Sequence, residues 1–342
     1  EYENEYLGEY GATLYDKLED TLKELLPLIG QRGDTEFIDT VRKAYTKFRG
    51  DLDSYAVAEP DGVAIHPQYF VNRLNKLASE DAIFTFDVGT PVIWTARHLK
   101  TNGKRRILGS FNHGSMANAM MHAIGAQNAC PNRQVISLSG DGGFTMMMGE
   151  MLTLKQLNLP IKIFVFNNEE LSFIAMEMKA SGYLDYATDF VNPDFGKLAE
   201  AAGIKGVSIT NSSEVDEKIM EALNHNGPVI VNVRVDKQEL AMPPKIAYQQ
   251  AKGFSKYLIN AILDGRGTEL KEMAKTNWMK YKSLYHLQLQ MHKSLNVPEI
   301  FRQCFLHGYS LSSLGFQDEY SRFHESAEIS ELLHLTPSIT HR

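Results

Sequence analysis

Two short segments of this sequence carry side chains whose types and spacing could do chemistry together. One is Ser139-Gly140-Asp141-Gly142-Gly143 and the other is Asn167-Asn168-Glu169-Glu170. Each follows an apolar run, Val135 to Leu138 and Ile161 to Phe166, that reads as a buried strand. Adjacent glycines let backbone approach a ligand closely, and free amides at a helix start favour phosphate. A carboxylate at that point would repel phosphate unless a cation stands between them. A divalent ion resolves the conflict, and the hard oxygens of Asp141, the Asn168 amide and a backbone carbonyl suit magnesium. Alone, a Gly-Asp-Gly tripeptide is more often a turn with a solvated carboxylate, and an Asn pair after a strand is weaker still. Together, separated by one helix and one strand, they point to a metal–diphosphate site.

The elements that must position these segments alternate between helix and strand. Tyr69 to Leu77 reads as a helix, Ala82 to Phe86 as a strand and Val92 to Leu99 as a helix. A short extended stretch at Ile107-Leu108, a helix over Ser115 to Ala129 and the strand Val135 to Leu138 follow. Met146 to Leu157 reads as one helix, Phe195 to Ala202 as another, and Pro228 to Val233 as a further strand. Strands buried without polar alternation, spaced by helices, predict an α/β fold: a parallel sheet with helices on both faces. In such a sheet ligands bind where strands end and helices begin. Upstream, residues 12–49 carry two apolar stripes at helical spacing, broken between Pro27 and Asp34 and stopped at Gly50. Downstream, 253–280 is amphipathic, with Phe254, Tyr257, Leu258, Ala261 and Ile262 on one stripe, an interruption at Gly265-Arg266-Gly267, and Leu270, Met273, Ala274 and Trp278 continuing it.

Composition excludes several classes. The chain has 342 residues and a formal charge of −7, which argues against nucleic acid as a partner. Two cysteines, Cys130 and Cys304, make no disulfide framework, so a reducing compartment is expected. No apolar run reaches the roughly 18–20 residues of a spanning helix. Six of the 11 histidines, at 286, 292, 307, 324, 334 and 341, fall in the last segment without metal-ligand spacing.

The Gly140-Asp141-Gly142 and Asn167-Asn168 pair resembles the thiamine diphosphate binding motif. A closer resemblance is carried by Asp87-Val88-Gly89-Thr90-Pro91, by Gly109 to Met120 (GSFNHGSMANAM), by Val165 to Asn168, by Phe173 to Lys179 (FIAMEMK) and by Ala274 to Trp278. These are similar to the quinone-dependent pyruvate dehydrogenases, also called pyruvate oxidases. The resemblance implies oxidative decarboxylation of pyruvate to acetate and carbon dioxide, with electrons passed through FAD to membrane quinone. It implies Asp141 and Asn168 as side-chain magnesium ligands and Glu170 as a ligand through its carbonyl. It makes Gly142 and Gly143 diphosphate amides and gives Gly114, Ser115 and Met116 the cofactor's middle, with Met116 as the wedge that bends it. Gly89 and Thr90 would line the site, Glu169 would be among the cofactor-binding residues, and the stretch Leu171, Ser172, Phe173 and Ile174 would cover the thiazolium. Phe173 and Glu177 would lie at the reaction centre. His113 reads equally as structural, and Cys130 and the Met146 to Met148 run read as packing.

The same resemblance divides the chain. Residues 1–50 correspond to the last helices of a truncated FAD-type domain, 51–66 to a linker and 67–237 to the thiamine diphosphate/magnesium domain. Residues 238–280 match a membrane-associating segment, and the amphipathic stripes agree with a helix lying on a bilayer. Residues 281–342 fall past the resemblance and are expected to be a poorly ordered foreign tail. No Gly-x-Gly-x-x-Gly loop is present, so the FAD site is expected outside this chain, which reads as the C-terminal portion of a larger enzyme. A homotetramer, a lipid surface and a cytoplasmic location at the inner face of the cell membrane are further implications. Two alternatives stand beside this reading: another thiamine-dependent keto-acid enzyme, such as an acetolactate synthase or an oxygen-using oxidase, and a fragment without turnover of its own.

Overall fold

Why the strands carry apolar residues on both sides is clear from a computed structural model, which describes residues 22–23, 25–30, 33–240 and 248–277. Six strands form one all-parallel sheet: β1 (Ile83–Phe86), β2 (Arg106–Leu108), β3 (Val135–Gly140), β4 (Lys162–Asn167), β5 (Lys205–Ile209) and β6 (Val229–Arg234), in the order β2-β1-β3-β4-β6-β5. Side chains alternate across it with the strand period of two. Phe84, Phe86, Ile136, Leu138, Phe164 and Phe166 face one layer. Ile83, Val135, Ile163, Val165 and Ile230 face the other.

The first layer is covered by α2 (Pro67–Leu77), α3 (Thr90–His98) and α9 (Val215–Asn224), through residues such as Phe70, Leu74, Trp94 and Ile219. Phe70 packs edge-on to Phe166 with centroids 5.7 Å apart. The second layer is covered by α4 (Asn118–Ala129), α5 (Asp141–Met146), α6 (Met151–Gln156) and α8 (Phe195–Ala201), through Met120, Phe144, Leu154 and Phe195. Each fully buried large apolar side chain contributes about 1.5–3 kcal/mol, so both layers are needed.

Register fixes the site. Phe86 lies opposite Leu138, and Gly140 lies opposite Phe166. The chain therefore leaves β1, β3 and β4 at one edge, as Asp87, Asp141 and Asn168. β2 and β3 lie on opposite sides of β1, so the connections diverge there and open a crevice, the usual ligand position in such sheets.

Several elements differ from the sequence reading. The helix expected from Ser115 begins at Asn118, because Gly114 (φ 61°) and Ala117 (φ 63°) are left-handed. The single helix expected over Met146 to Leu157 is broken: Met147 leaves helical geometry (φ −124°), and a 3₁₀ turn at Met148–Glu150 precedes α6. Gly50 does not stop its helix. α1 (Glu36–Ser54) runs through it, and burial of Leu52 on the last turn offsets the roughly 1 kcal/mol that glycine costs in a helix. β5, α9 and α7 (Ser172–Ala180) are additional to the elements read from the sequence.

The chain divides into two compact units between Gly50 and Asp51. Within the first, Phe37, Ile38, Val41, Tyr45 and Phe48 are exposed. In the second, α10 (Tyr248–Leu263) and a helix over 267–277 bury the amphipathic stripe on their own domain. Tyr257, Ala261, Leu270 and Met273 join Leu240 and the partly buried Leu184. Gly253 makes this approach possible, since a Cβ there would lie 2.0 Å from the Ala180 carbonyl oxygen. Among the described residues no helix is long and apolar enough to cross a membrane. The expected tail at 281–342 and most of the first expected helix, before Leu22, lie outside the described residues.

Candidate cofactor site

Asp141 opens α5 directly after β3 and is buried. Its Oδ1 accepts from the Gly142 amide at 2.7 Å. Its Oδ2 accepts from the amides of Asn168 (3.2 Å) and Glu169 (2.8 Å) and from the Asn192 side chain (2.9 Å). Burial pushes its pKa up to about 6, against the opposing pull of these donors. The carboxylate thus pins the turn that follows β4. That turn is left-handed at Glu169 (φ 58°), which aims its amide at Asp141, while its carbonyl accepts from the Phe190 amide at 2.8 Å.

Asn168 brings its main chain to Asp141. Its side-chain amide donates to Ser172 Oγ, and its Oδ1 accepts from the Glu170 amide at 3.3 Å. The Glu170 carbonyl accepts from Ser172 Oγ at 3.4 Å. The Glu170 carboxyl is itself buried. Desolvation raises it to about 6 although Lys179 and Lys237 draw it down. Lys237 Nζ stands 3.9 Å from Glu170 Oε1 and also pairs with Asp189. A small cavity lined by Thr90, Glu170, Ser172, Met176, Lys179 and Lys237 adjoins this turn.

Gly142 and Gly143 are where the loops converge. A Cβ on Gly142 would lie 3.0 Å from Leu171, 3.2 Å from Met116 and 3.2 Å from Phe190. A Cβ on Gly143 would meet Asp87 Oδ2 at 2.3 Å and the Ala117 amide nitrogen at 3.2 Å. Met116 is half-buried, while Gly114 and Ser115 are exposed. The Ser115 amide donates to Ser110 Oγ at 3.1 Å. Gly89 (φ 115°) caps α3, and Thr90 is its first residue. Phe173 and Ile174 sit in the first turn of α7, half-buried and exposed respectively, and Glu177 is exposed one turn on.

The structure therefore gathers Asp141, Gly142, Gly143, Asn168, Glu169, Leu171 and Met116, and leaves Phe173 and Glu177 on the outward helix beside them. Three participants escaped sequence reasoning. Asp87 stood inside a quoted motif without a role, Asn192 arrives from a loop without pattern, and the Glu170 side chain was assigned no part. Asp87 could have been found as a carboxylate directly after a buried strand, the same signal that singled out Asp141.

The donor set fits a magnesium-bound diphosphate. Asp141, the Asn168 amide oxygen and the Glu170 carbonyl are hard oxygens, and the two glycines leave a cradle that any Cβ would fill. Among the described residues no group of three His, Cys, Asp or Glu could hold a metal unaided. A cation here would share its coordination with phosphate oxygens and water.

Residues 87–233 match the family described as thiamine pyrophosphate enzyme, C-terminal TPP binding domain. Through these residues the chain carries a thiamine pyrophosphate-binding domain. Its TPP-binding domain starts at Asp87 and ends in β6, so it contains every loop of the crevice. Among its relatives is "Putative thiamine pyrophosphate-containing protein YdaP" of Bacillus subtilis (strain 168), 34% identical over 257 residues, which are 75% of this chain and 44% of that protein. The mitochondrial acetolactate synthase catalytic subunit of Saccharomyces cerevisiae is 35% identical over 201 residues, 58% of this chain and 29% of that protein. The acetolactate synthase isozyme 2 large subunit of Escherichia coli is 28% identical over 263 residues, 68% of this chain and 48% of that protein. The chain spans less than half the length of each of these relatives. These likenesses rest on the thiamine pyrophosphate-binding domain and do not single out the pyruvate oxidases.

Proposed function

We propose that this chain supplies the cofactor-binding half of the site in an enzyme that oxidatively decarboxylates pyruvate to acetate and carbon dioxide. The convergence of Asp141, the 168–170 turn and Met116 on the Gly142 backbone carries the reading. When bound, thiamine diphosphate supplies the electron sink for decarboxylating a 2-keto acid.

The chain's own residues hold and orient. Asp141, Asn168 and the Glu170 carbonyl would hold the cation, and the Gly142 and Gly143 amides the diphosphate. Met116 would prop the cofactor's middle, with Gly114 and Ser115 beside it. Leu171 to Ile174 would exclude water from one side, with Phe173 and Glu177 at the reacting end. Preorganising these groups lowers the entropic cost of reaching a reactive geometry. FAD, membrane quinone, a lipid surface, a homotetramer and a cytoplasmic, membrane-peripheral location belong to the same proposal for the whole protein. In the sequence, Phe173 to Lys179 and the segment 253–280 favour it over its rival through their resemblance to the pyruvate oxidases.

A second reading has its own support. Acetolactate synthases recur among the relatives, and an enzyme of that kind would join the decarboxylated fragment to a second keto acid. The test uses the full-length protein with pyruvate, magnesium and thiamine diphosphate. Acetate formed in step with reduction of a quinone analogue, and stimulated by lipid vesicles, is the expected result. Acetolactate as the main product without quinone reduction would overturn the oxidative reading in favour of the second.

A further inference from the structure

Asp87 plays no part in the proposed ligand set, yet three loops of the crevice meet at its carboxylate. It follows β1, is 1% exposed, and donates its own amide to the Leu138 carbonyl at 3.0 Å, which fixes its backbone to β3. Its Oδ1 accepts from the Ala119 amide at 2.9 Å. That bond caps α4, whose cap position is held by Ala117, a residue with no side chain able to do it. Among the described residues its Oδ2 has no hydrogen-bond partner, and it fills the space where Gly143 lacks a Cβ. One side chain therefore touches the start of α4 with one oxygen and the diphosphate loop with the other. Met116 and Gly142, the next residues along these two loops, are so close that a Cβ on Gly142 would lie 3.2 Å from the Met116 methyl group.

We propose that Asp87 is a positioning residue that sets the gap between the 114–117 loop and the Gly142-Gly143 loop, and hence where Met116 stands relative to the diphosphate cradle. Its length is what matters: the carboxylate is a spacer with a hydrogen-bond anchor at one end. Burial pushes the Asp87 carboxyl up to about 6, and the amides of Ala119, Gly140 and Asn118 pull the other way by favouring its charged form. The consequence for the cofactor rests on the reading of these loops given above; the spacing itself does not.

The test compares wild type, Asp87→Asn, Asp87→Ala, Gly143→Ala and the Asp87→Ala/Gly143→Ala double variant, each as the whole 342-residue chain. Amide exchange is followed at 114–119 and 140–143 without ligand, alongside thermal unfolding and calorimetric titration with magnesium and thiamine diphosphate. Asp87→Ala should speed exchange at both loops and weaken the titrated affinity about tenfold, the scale of one lost cap. Asp87→Asn keeps an acceptor oxygen of the same reach and should restore both readouts. Gly143→Ala should destabilise wild type more than it destabilises the Asp87→Ala background. Such a coupling arises only if the two groups compete for one space.

Unchanged exchange at 140–143 in Asp87→Ala, or additive effects in the double variant, would overturn the proposal. Should Asp87→Ala not fold, Asp87→Ser, too short to reach Gly143, carries the same readouts. If wild type binds no thiamine diphosphate, the cofactor reading fails, and the exchange and coupling results still decide the spacing.

Discussion

Asp141 and Asp87 are carboxylates buried beside few opposing charges, and burial lifts both to about 6. In the unfolded chain each returns to its ordinary value near 3.8. The folded state therefore holds extra protons between these values. Protonation stabilises the fold below the unfolded value, and that stabilisation is lost as pH rises through about 6. Each group alone therefore costs the fold about 3 kcal/mol at neutral pH relative to acid. Asp141→Asn removes one share, so the stability of wild type relative to this variant should rise as pH falls from about 7 to about 4.5. Urea unfolding at the two pH values measures it, and the opposite slope would mean that a cation pairs with Asp141. Magnesium acts in the other direction, since it needs the ionised carboxylate, so metal-dependent cofactor affinity should fall below about pH 6. Asp141 and Asn168 were legible in the sequence because their residue types carry chemistry at strand ends. Asp87 and Asn192 were not: one acts on a helix start 32 positions away, and the other reaches Asp141 from 51 positions away. No local pattern encodes such contacts.

The helix–strand alternation was legible because strands buried on both faces read as uninterrupted Ile, Val, Leu and Phe. β5, Lys205–Ile209, escaped because glycine and serine interrupt its apolar run, and α7 because its buried face includes Lys179. Lys179 also explains how the last helices attach. Its ammonium pairs with Glu269 at 3.1 Å and lies over the Tyr257 ring at 5.6 Å. The Tyr257 hydroxyl donates to Glu269 at 3.2 Å, and Arg266 pairs with Asp185 at 2.8 Å. Breaking a buried pair by removing one partner leaves an uncompensated charge and costs about 3–5 kcal/mol. Glu269 is partly exposed, so the lower end of that range applies. Glu269→Gln should detach α10 and the 267–277 helix from α7 and speed limited proteolysis between them. Lys179→Met together with Glu269→Gln should recover much of the loss. An additive double variant would show that the apolar contacts alone hold these helices.

At the scale of the whole molecule, one continuous sheet presents all the cradle's loops at a single edge, so a complete cofactor-binding surface is compatible with a chain that spans less than half of its relatives. A surface that binds a cofactor is not a surface that activates it. On the expectation that this chain is the C-terminal portion of a larger enzyme, the group that activates the cofactor belongs to the rest of that enzyme. Binding and turnover should therefore separate. The chain alone should take up thiamine diphosphate only when magnesium is present, with Asp141→Ala abolishing uptake, because one carboxylate carries the only formal charge in the proposed ligand set. It should release no carbon dioxide from pyruvate, and the full-length protein should do so under the same conditions. Equilibrium dialysis and a carbon dioxide assay on the two proteins measure this pair of outcomes. Turnover by the chain alone would place the activating group within these 342 residues and make the exposed Glu177 the first residue to replace.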